Sequence, residues 1–253
     1  LDQARELFMQ YSRRFPRNRI ARMYLGEPIA PDQSYPAHAH APAWAQSQRE
    51  GLERLSEIIE WWIDQRMQAD GQYGGGWGDD CEMWRWWTPI LIGFHSPKIN
   101  QAQQRFSEAI MNQPHMRLGY TTRMSDVEHT AEDSADAITP MMHLDPDNTA
   151  WATRALQGVT FMREQWTGRN ERGFLQFKST YFTAERVDTN PQRTCDTVYH
   201  ARAIQPALLL WQRTGQAELT ELVSDWMQTW VDATARAERG KPAGIMPSAI
   251  QWP

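Results

Sequence analysis

The chain has 253 residues, 41% of them hydrophobic and 23% charged, with a formal net charge of −5. That balance excludes a disordered or fibrous chain and fits one large globular domain or two small ones. Its longest apolar runs, such as residues 207–211, fall far short of the roughly 20 residues of a membrane-spanning helix. Its 26 basic residues, all Arg except Lys98, Lys178 and Lys241, are scattered among acids, so neither a membrane nor nucleic acid is an expected partner.

Aromatic residues are numerous, with 13 Trp, 7 Tyr and 8 Phe, while mean hydropathy is −0.68. Many rings are therefore expected to line a ligand surface instead of filling a core. The Arg excess suits an acidic small ligand, because a guanidinium grips a carboxylate or sulfate with two parallel hydrogen bonds. Cys81 and Cys195 provide no disulfide framework and, by themselves, no zinc site. The chain starts at Leu1 with no basic-then-apolar leader, as a processed protein or a piece of a longer one would. An extracytoplasmic location is the favoured reading.

Helical periodicity dominates the chain from end to end. Apolar residues recur at three- and four-residue steps over 2–15, 46–69, 80–94, 100–112, 126–144, 148–167, 194–214 and 217–238, which predicts eight helices. Residues 96–97, 145–148 and 214–216 read as tight connections, with Asp145, Asp147 and Asn148 supplying capping groups. Longer connections cover 16–45, 70–79, 113–125 and 168–193, and in the last of these Phe174, Leu175, Phe177, Tyr181 and Phe182 predict a β-hairpin. Short and long connections alternate, as they do when helical hairpins carry elaborated loops at one end.

Three helices begin after long loops, and each opens with acids or His. The first follows the glycines 74–76 and carries Asp79, Asp80 and Glu82 beside Trp77, Trp84, Arg85, Trp86 and Trp87. On the second, Asp126, His129, Asp133 and Asp136 fall on one face at steps of three and four, and Glu128 and Glu132 are a further four-residue pair. The third places Asp196, Tyr199 and His200 on one face. Crowded carboxylates raise one another's pKa, and a Tyr–His pair supplies acid and base groups. Asp80, Glu82, Asp126, His129, Asp196 and His200 are therefore expected to converge in one cleft.

His38 and His40 share a Pro- and Ala-rich loop, and His115 and His143 carry no local signal. Asp79, Asp126, His129 and His200 can be drawn together as metal ligands, but no His-Glu-x-x-His motif occurs, and neither metal nor cofactor is expected.

Helical hairpins around an acid-lined, aromatic-rich centre resemble the α/α-toroid carbohydrate-active enzymes. Asp79-Asp80-x-x-Met83 with Pro89-x-Leu91 is similar to the Asp-Asp-x-x-Met segment of unsaturated glucuronyl and rhamnogalacturonyl hydrolases, over about 15 residues. The resemblance implies an all-α toroid or incomplete toroid, here taken as one domain over 1–253, in which one aspartate of the pair is the general acid/base. Glu82 and the Gly-rich approach depart from that family.

The expected function is hydrolysis of a uronate-containing oligo- or polysaccharide. Asp79 or Asp80 would be the acid, Asp126, Glu128 or Glu132 would place water, Trp77, Trp84, Trp86 and Trp87 would stack on sugar, and Arg85, Arg123 and Arg202 would hold carboxylates. The alternatives are a lyase using Tyr199, His200 and His129, and a non-catalytic helical module that binds a glycan or protein.

Overall fold

The computed structural model describes residues 1–28, 35 and 40–253. His38 lies outside the described residues. The fold is mostly helical with a few short strands, which establishes the all-α class. Two compact units divide the chain, residues 1–53 and residues 54–253.

The first unit holds α1 (Asp2–Arg14) and α2 (Arg19–Tyr24), the latter inside the expected 16–45 connection. Asn18 caps α2 by accepting from the Ala21 N–H at 2.9 Å, and the Phe8 ring stacks on Tyr24 at 4.5 Å. α3 (Ala43–Gln65) spans the boundary between the units.

The second unit holds α4 (Trp77–Gly93), α5 (Pro97–Met111), α6 (Val127–Asp133), α7 (Ala135–Leu144), α8 (Thr149–Phe161), α9 (His200–Ala203), α10 (Gln205–Thr214) and α11 (Ala217–Ala235). α7 packs against both α4 and α10, making a central row of three. α5 lies beside α4 and α7, α8 beside α7 and α10, and α11 beside α10, so each central helix is followed in sequence by one of a second row.

Composition explains the two rows. α7 buries nearly everything it carries, including Ala137, Ile138, Met141 and Met142, as a helix covered on all sides must. α5 buries only Ile99, Ala102, Gln103, Phe106, Ser107 and Ile110, one stripe at helical spacing. Below them, Tyr120, Trp151, Phe161, Trp166, Phe177, Phe182, Trp226 and Trp230 form an aromatic core. Eight of the chain's 28 aromatic residues are spent here on packing.

Three expected elements are corrected. The predicted 126–144 helix is two helices, broken at Ser134 (φ −123°, ψ −81°), whose hydroxyl accepts from the Thr121 N–H at 3.1 Å. The predicted start of the 194–214 helix is a strand, Cys195–Thr197, paired antiparallel with Ala249–Gln251. Thr194, Thr197 and Val198 are β-branched, and Asp196 alone of the strand faces inward.

The 174–182 hairpin is not one hairpin: Leu175–Phe177 pairs with Thr167–Arg169, and Tyr181–Phe182 with Ser125–Asp126. The turn that decides this is 170–173, where the Asn170 side chain accepts from the Arg172 and Phe174 N–H groups and Gly173 takes φ 82°.

Candidate acid/base site

The approach to α4 is built on Asp80. Its carboxylate is buried and accepts from the Tyr73 N–H at 2.7 Å and the Gly75 N–H at 3.1 Å, clamping the loop whose Gly76 (φ 90°) opens the helix. Both oxygens are thus committed to backbone, and Asp80 holds a loop; Asp79 next to it is exposed. Tyr73 packs edge-on against Trp62 and Trp87 and tilted against Trp84, and Trp84 also meets Phe106. Trp84 and Trp87 are core residues, and Trp77 packs half-buried on Phe106 at 5.6 Å. Of the four tryptophans expected to stack on sugar, Trp86 alone is exposed, at 67%.

One turn into α4 the chemistry changes. Glu82, Glu128 and Glu132 each bring a carboxylate oxygen within 4.8 Å of the others. α6 presents the latter two because Asp126 caps it, accepting from the Glu128 and His129 N–H groups at 3.1 Å each. Asp136 opens α7 immediately behind.

Arg202, from the single turn of α9, ties this set together. It reaches Glu128 at 3.0 Å, Glu132 at 3.5 Å and Asp136 at 2.6 Å, with its side chain only 12% exposed. Arg85 bonds Glu82 at 2.8 Å and lies 3.6 Å from Asp136, with its guanidinium over the Trp86 ring at 4.9 Å. Four carboxyl groups face two guanidinium groups, and Asp136 Oδ1 is buried without a hydrogen-bond partner among the described residues.

The electrostatics follow from that imbalance. Burial pushes the Glu132 carboxyl up to about 7; nearby Glu82 and Asp136 add to this, while His129 and Arg202 oppose it. Burial also raises Asp136, against the pull of Arg202. His129 pairs with Asp126 at 2.8 Å, a hydrogen bond that raises the imidazole. Burial pushes Asp126 upward, but its bonds to His129 outweigh this and leave it below the ordinary value.

The starts of α4, α6 and α9 therefore do converge, but through Glu82, Glu128, Glu132 and Arg202. Asp136 and His115 complete the neighbourhood, and neither was among the expected site residues. His115 carries no motif of its own and reaches Asp133 only through the loop after α5. Arg123 is exposed and makes no ion pair among the described residues.

Asp196 and His200 form a separate, fully buried pair. Asp196 accepts from Trp226 Nε1 at 2.8 Å and the Phe177 N–H at 3.2 Å. His200 Nε2 lies 3.0 Å from the Ser179 carbonyl, Nδ1 accepts from the Thr197 N–H, and the ring stacks on Phe177 at 4.1 Å. Neither residue is placed to meet a substrate, and Tyr199 points from the surface, 48% exposed.

Three carboxylates at 4.8 Å are also a spacing that takes a cation. Here Arg202 and Arg85 bond the same three groups and supply the compensating positive charge. A groove of about 790 Å³ opens elsewhere, lined by residues of the 170–176, 233–241 and 246–253 segments and by none of the cluster. No family model, curated protein or solved structure matches the chain.

Proposed function

We propose that the chain is a glycoside hydrolase working by carboxylate acid/base chemistry on a uronate-containing saccharide. The observation that carries this is Glu132: a buried carboxyl with its pKa near 7, beside half-exposed Glu82 and Glu128 whose charges are held by Arg85 and Arg202. A carboxyl whose pKa is about 7 beside a second carboxyl group is what protonating a leaving oxygen while that second group attacks or activates water requires. Glu132 takes the acid role and Glu128 the second role in this reading, replacing Asp79 and Asp80.

The central row α4, α7 and α10, flanked by α5, α8 and α11, supports an arc of an α/α toroid, with the cluster on the early turns of α4 and α7 and on α6 and α9, the short helices that precede α7 and α10. Exposed Trp86, under the Arg85 guanidinium that bonds Glu82, supports a sugar ring, and exposed Arg123, which makes no ion pair among the described residues, supports a uronate carboxylate. Of the three residues of the lyase reading, His200 has both ring nitrogens occupied in the core, while Tyr199 and His129 are exposed.

The test is incubation with a panel of saturated and unsaturated uronate glycans, following both reducing ends and absorbance of the unsaturated-uronate band. New reducing ends without a rise in that band support hydrolysis. A rising band shows elimination, and glycan binding with no turnover by any member shows a non-catalytic module.

A further inference from the structure

We propose that the groove at the C-terminal end of α11 is a second saccharide site, which holds a uronate-bearing sugar apart from the carboxylate cluster. The inference rests on the uronate-glycan reading for the class of its ligand and on the groove alone for its place. The groove encloses about 790 Å³, within the roughly 300–1,000 Å³ of small-ligand sites, and every residue lining it belongs to the second unit. Buried Gln176 ties two of its walls together: Nε2 donates to the Ile250 carbonyl at 2.9 Å, and Oε1 accepts from Asn170 Nδ2 at 2.9 Å.

One part of the lining is aromatic. The Trp252 N–H donates to the Thr194 carbonyl at 2.9 Å, and the ring lies so close to the strand Thr167–Arg169 that a Cβ at Gly168 would stand 2.7 Å from Cη2. Glycine at 168 is what admits the ring there, and the half-buried indole lines the groove together with Ile250 and the exposed Ser248. A flat ring with hydroxyl and amide groups in the same lining suits a sugar, whose apolar face stacks while its hydroxyls form hydrogen bonds.

The charges of the lining favour a carboxylate. Arg172 bonds both Asp232 oxygens, at 2.9 and 2.8 Å, and Arg236 pairs with Asp232 and Glu238. The Lys241 ammonium donates to the carbonyls of Thr234, Arg236 and Pro242, none of them an acid, and the exposed Arg239 side chain makes no hydrogen bond or ion pair among the described residues. Against these two cations the lining holds one unmatched acid, Glu171, so the groove has a single surplus positive charge in a chain of net −5. Arg239 and Gly240 form the tight turn between Glu238 and Lys241, at φ 50° and 82°, a left-handed geometry that favours Gly or Asn and strains a longer side chain. That turn nevertheless presents a guanidinium to the groove. One surplus charge suits a monocarboxylate better than a phosphate dianion, and a guanidinium grips a carboxylate with two parallel hydrogen bonds.

The test follows the indole N–H signal of Trp252 by NMR in the full chain, wild type and Glu132→Gln, each with and without Arg239→Gly. The probes are trimers of galacturonate, glucuronate and mannuronate, with trigalactose and inorganic phosphate as comparisons. At least one uronate trimer should move the signal, with trigalactose binding at least about tenfold more weakly. Arg239→Gly should weaken the uronate by about tenfold or more, the loss of a charge-assisted contact, while relief of the positive φ leaves the melting temperature unchanged or higher. Glu132→Gln should leave affinity at the groove unchanged. A signal that no uronate trimer moves overturns the proposal, as does equal affinity in Arg239→Gly, or phosphate bound as tightly as the uronate. Should Arg239→Gly not fold, Arg239→Asn, which tolerates the same φ, is read in the same way. Arg239-dependent binding in a protein that cleaves no glycan would sink the hydrolase reading alone, whereas uronate turnover with an unmoved Trp252 signal would sink this inference alone.

Discussion

The two polar clusters that follow long loops, Asp196–His200 and Glu82–Glu128–Glu132–Asp136, are alike in sequence and opposite in surroundings. Asp196 Oδ2 takes two donors, Trp226 Nε1 and the Phe177 N–H, and its Oδ1, without a hydrogen bond among the described residues, lies 3.0 Å from Nδ1 of His200, whose ring stacks on Phe177, so one acid faces one imidazole inside an aromatic shell. The carboxylate cluster has more acids than its two guanidinium groups can match, and half of Glu82 and Glu128 reaches solvent. A matched cluster fixes a fold; an unmatched one keeps a proton available near neutral pH. The comparison can be broken by substitutions that act on turnover in one cluster and on stability in the other.

The largest expected effect is that of Glu132→Gln. It keeps shape and removes the acid, so glycan turnover should fall by about 10²–10⁴-fold while the melting temperature stays or rises. Full turnover in this variant breaks the assignment.

Asp196→Ala should do the reverse. It leaves Trp226 Nε1 and the Phe177 N–H buried without a partner, and unfolding by denaturant should show a loss of about 2–4 kcal/mol. Activity per folded molecule should be unchanged, and a stability within about 0.5 kcal/mol of wild type would show that the pair is not a structural pin.

Arg202→Met probes the boundary between the two cases, because Arg202 both matches and holds the carboxylates. Removing it should cost about 3 kcal/mol at pH 7.5, since three partly buried carboxyl groups lose their counter-charge. The folded pKa values of Glu132 and Asp136, already raised by burial, then lie further above the unfolded ones, so the folded state binds more protons and stability rises as the pH falls. The deficit should shrink between pH 7.5 and pH 5 in paired melting curves, and a deficit independent of pH would show packing loss alone.

Trp86→Ala is the smallest effect. An exposed ring leaves stability within about 0.5 kcal/mol of wild type, but KM should rise several-fold if the ring stacks on sugar. No change in KM removes Trp86 from the site.

The helices were legible because burial imposes period 3.6, and most fall within a few residues of their predicted ends. What failed was decided by single distant contacts. The hydroxyl of Ser134 taking the Thr121 N–H broke a helix, and Ala249–Gln251 drew Cys195–Thr197 into a ladder more than 50 residues away in sequence. At the candidate site, the helix starts after long loops marked three segments, of which the first two and Arg202 of the third come together. Within each segment the sequence could not separate capping from chemistry: Asp80 and Asp126 carry the strongest N-terminal signals and are tied up by backbone N–H groups, while Glu82 and Glu132, a turn further in, are left facing one another. His115 was invisible because its partner is set by tertiary packing.

The most direct measurement of the central claim is kcat/KM against pH on whichever uronate glycan the wild type cleaves. With Glu132 as the acid at about 7, the rate should hold up to that pH and then fall toward tenfold per unit as the proton is lost. A rate that keeps rising through pH 8 and 9 would contradict it, because no step would then depend on a protonated carboxyl.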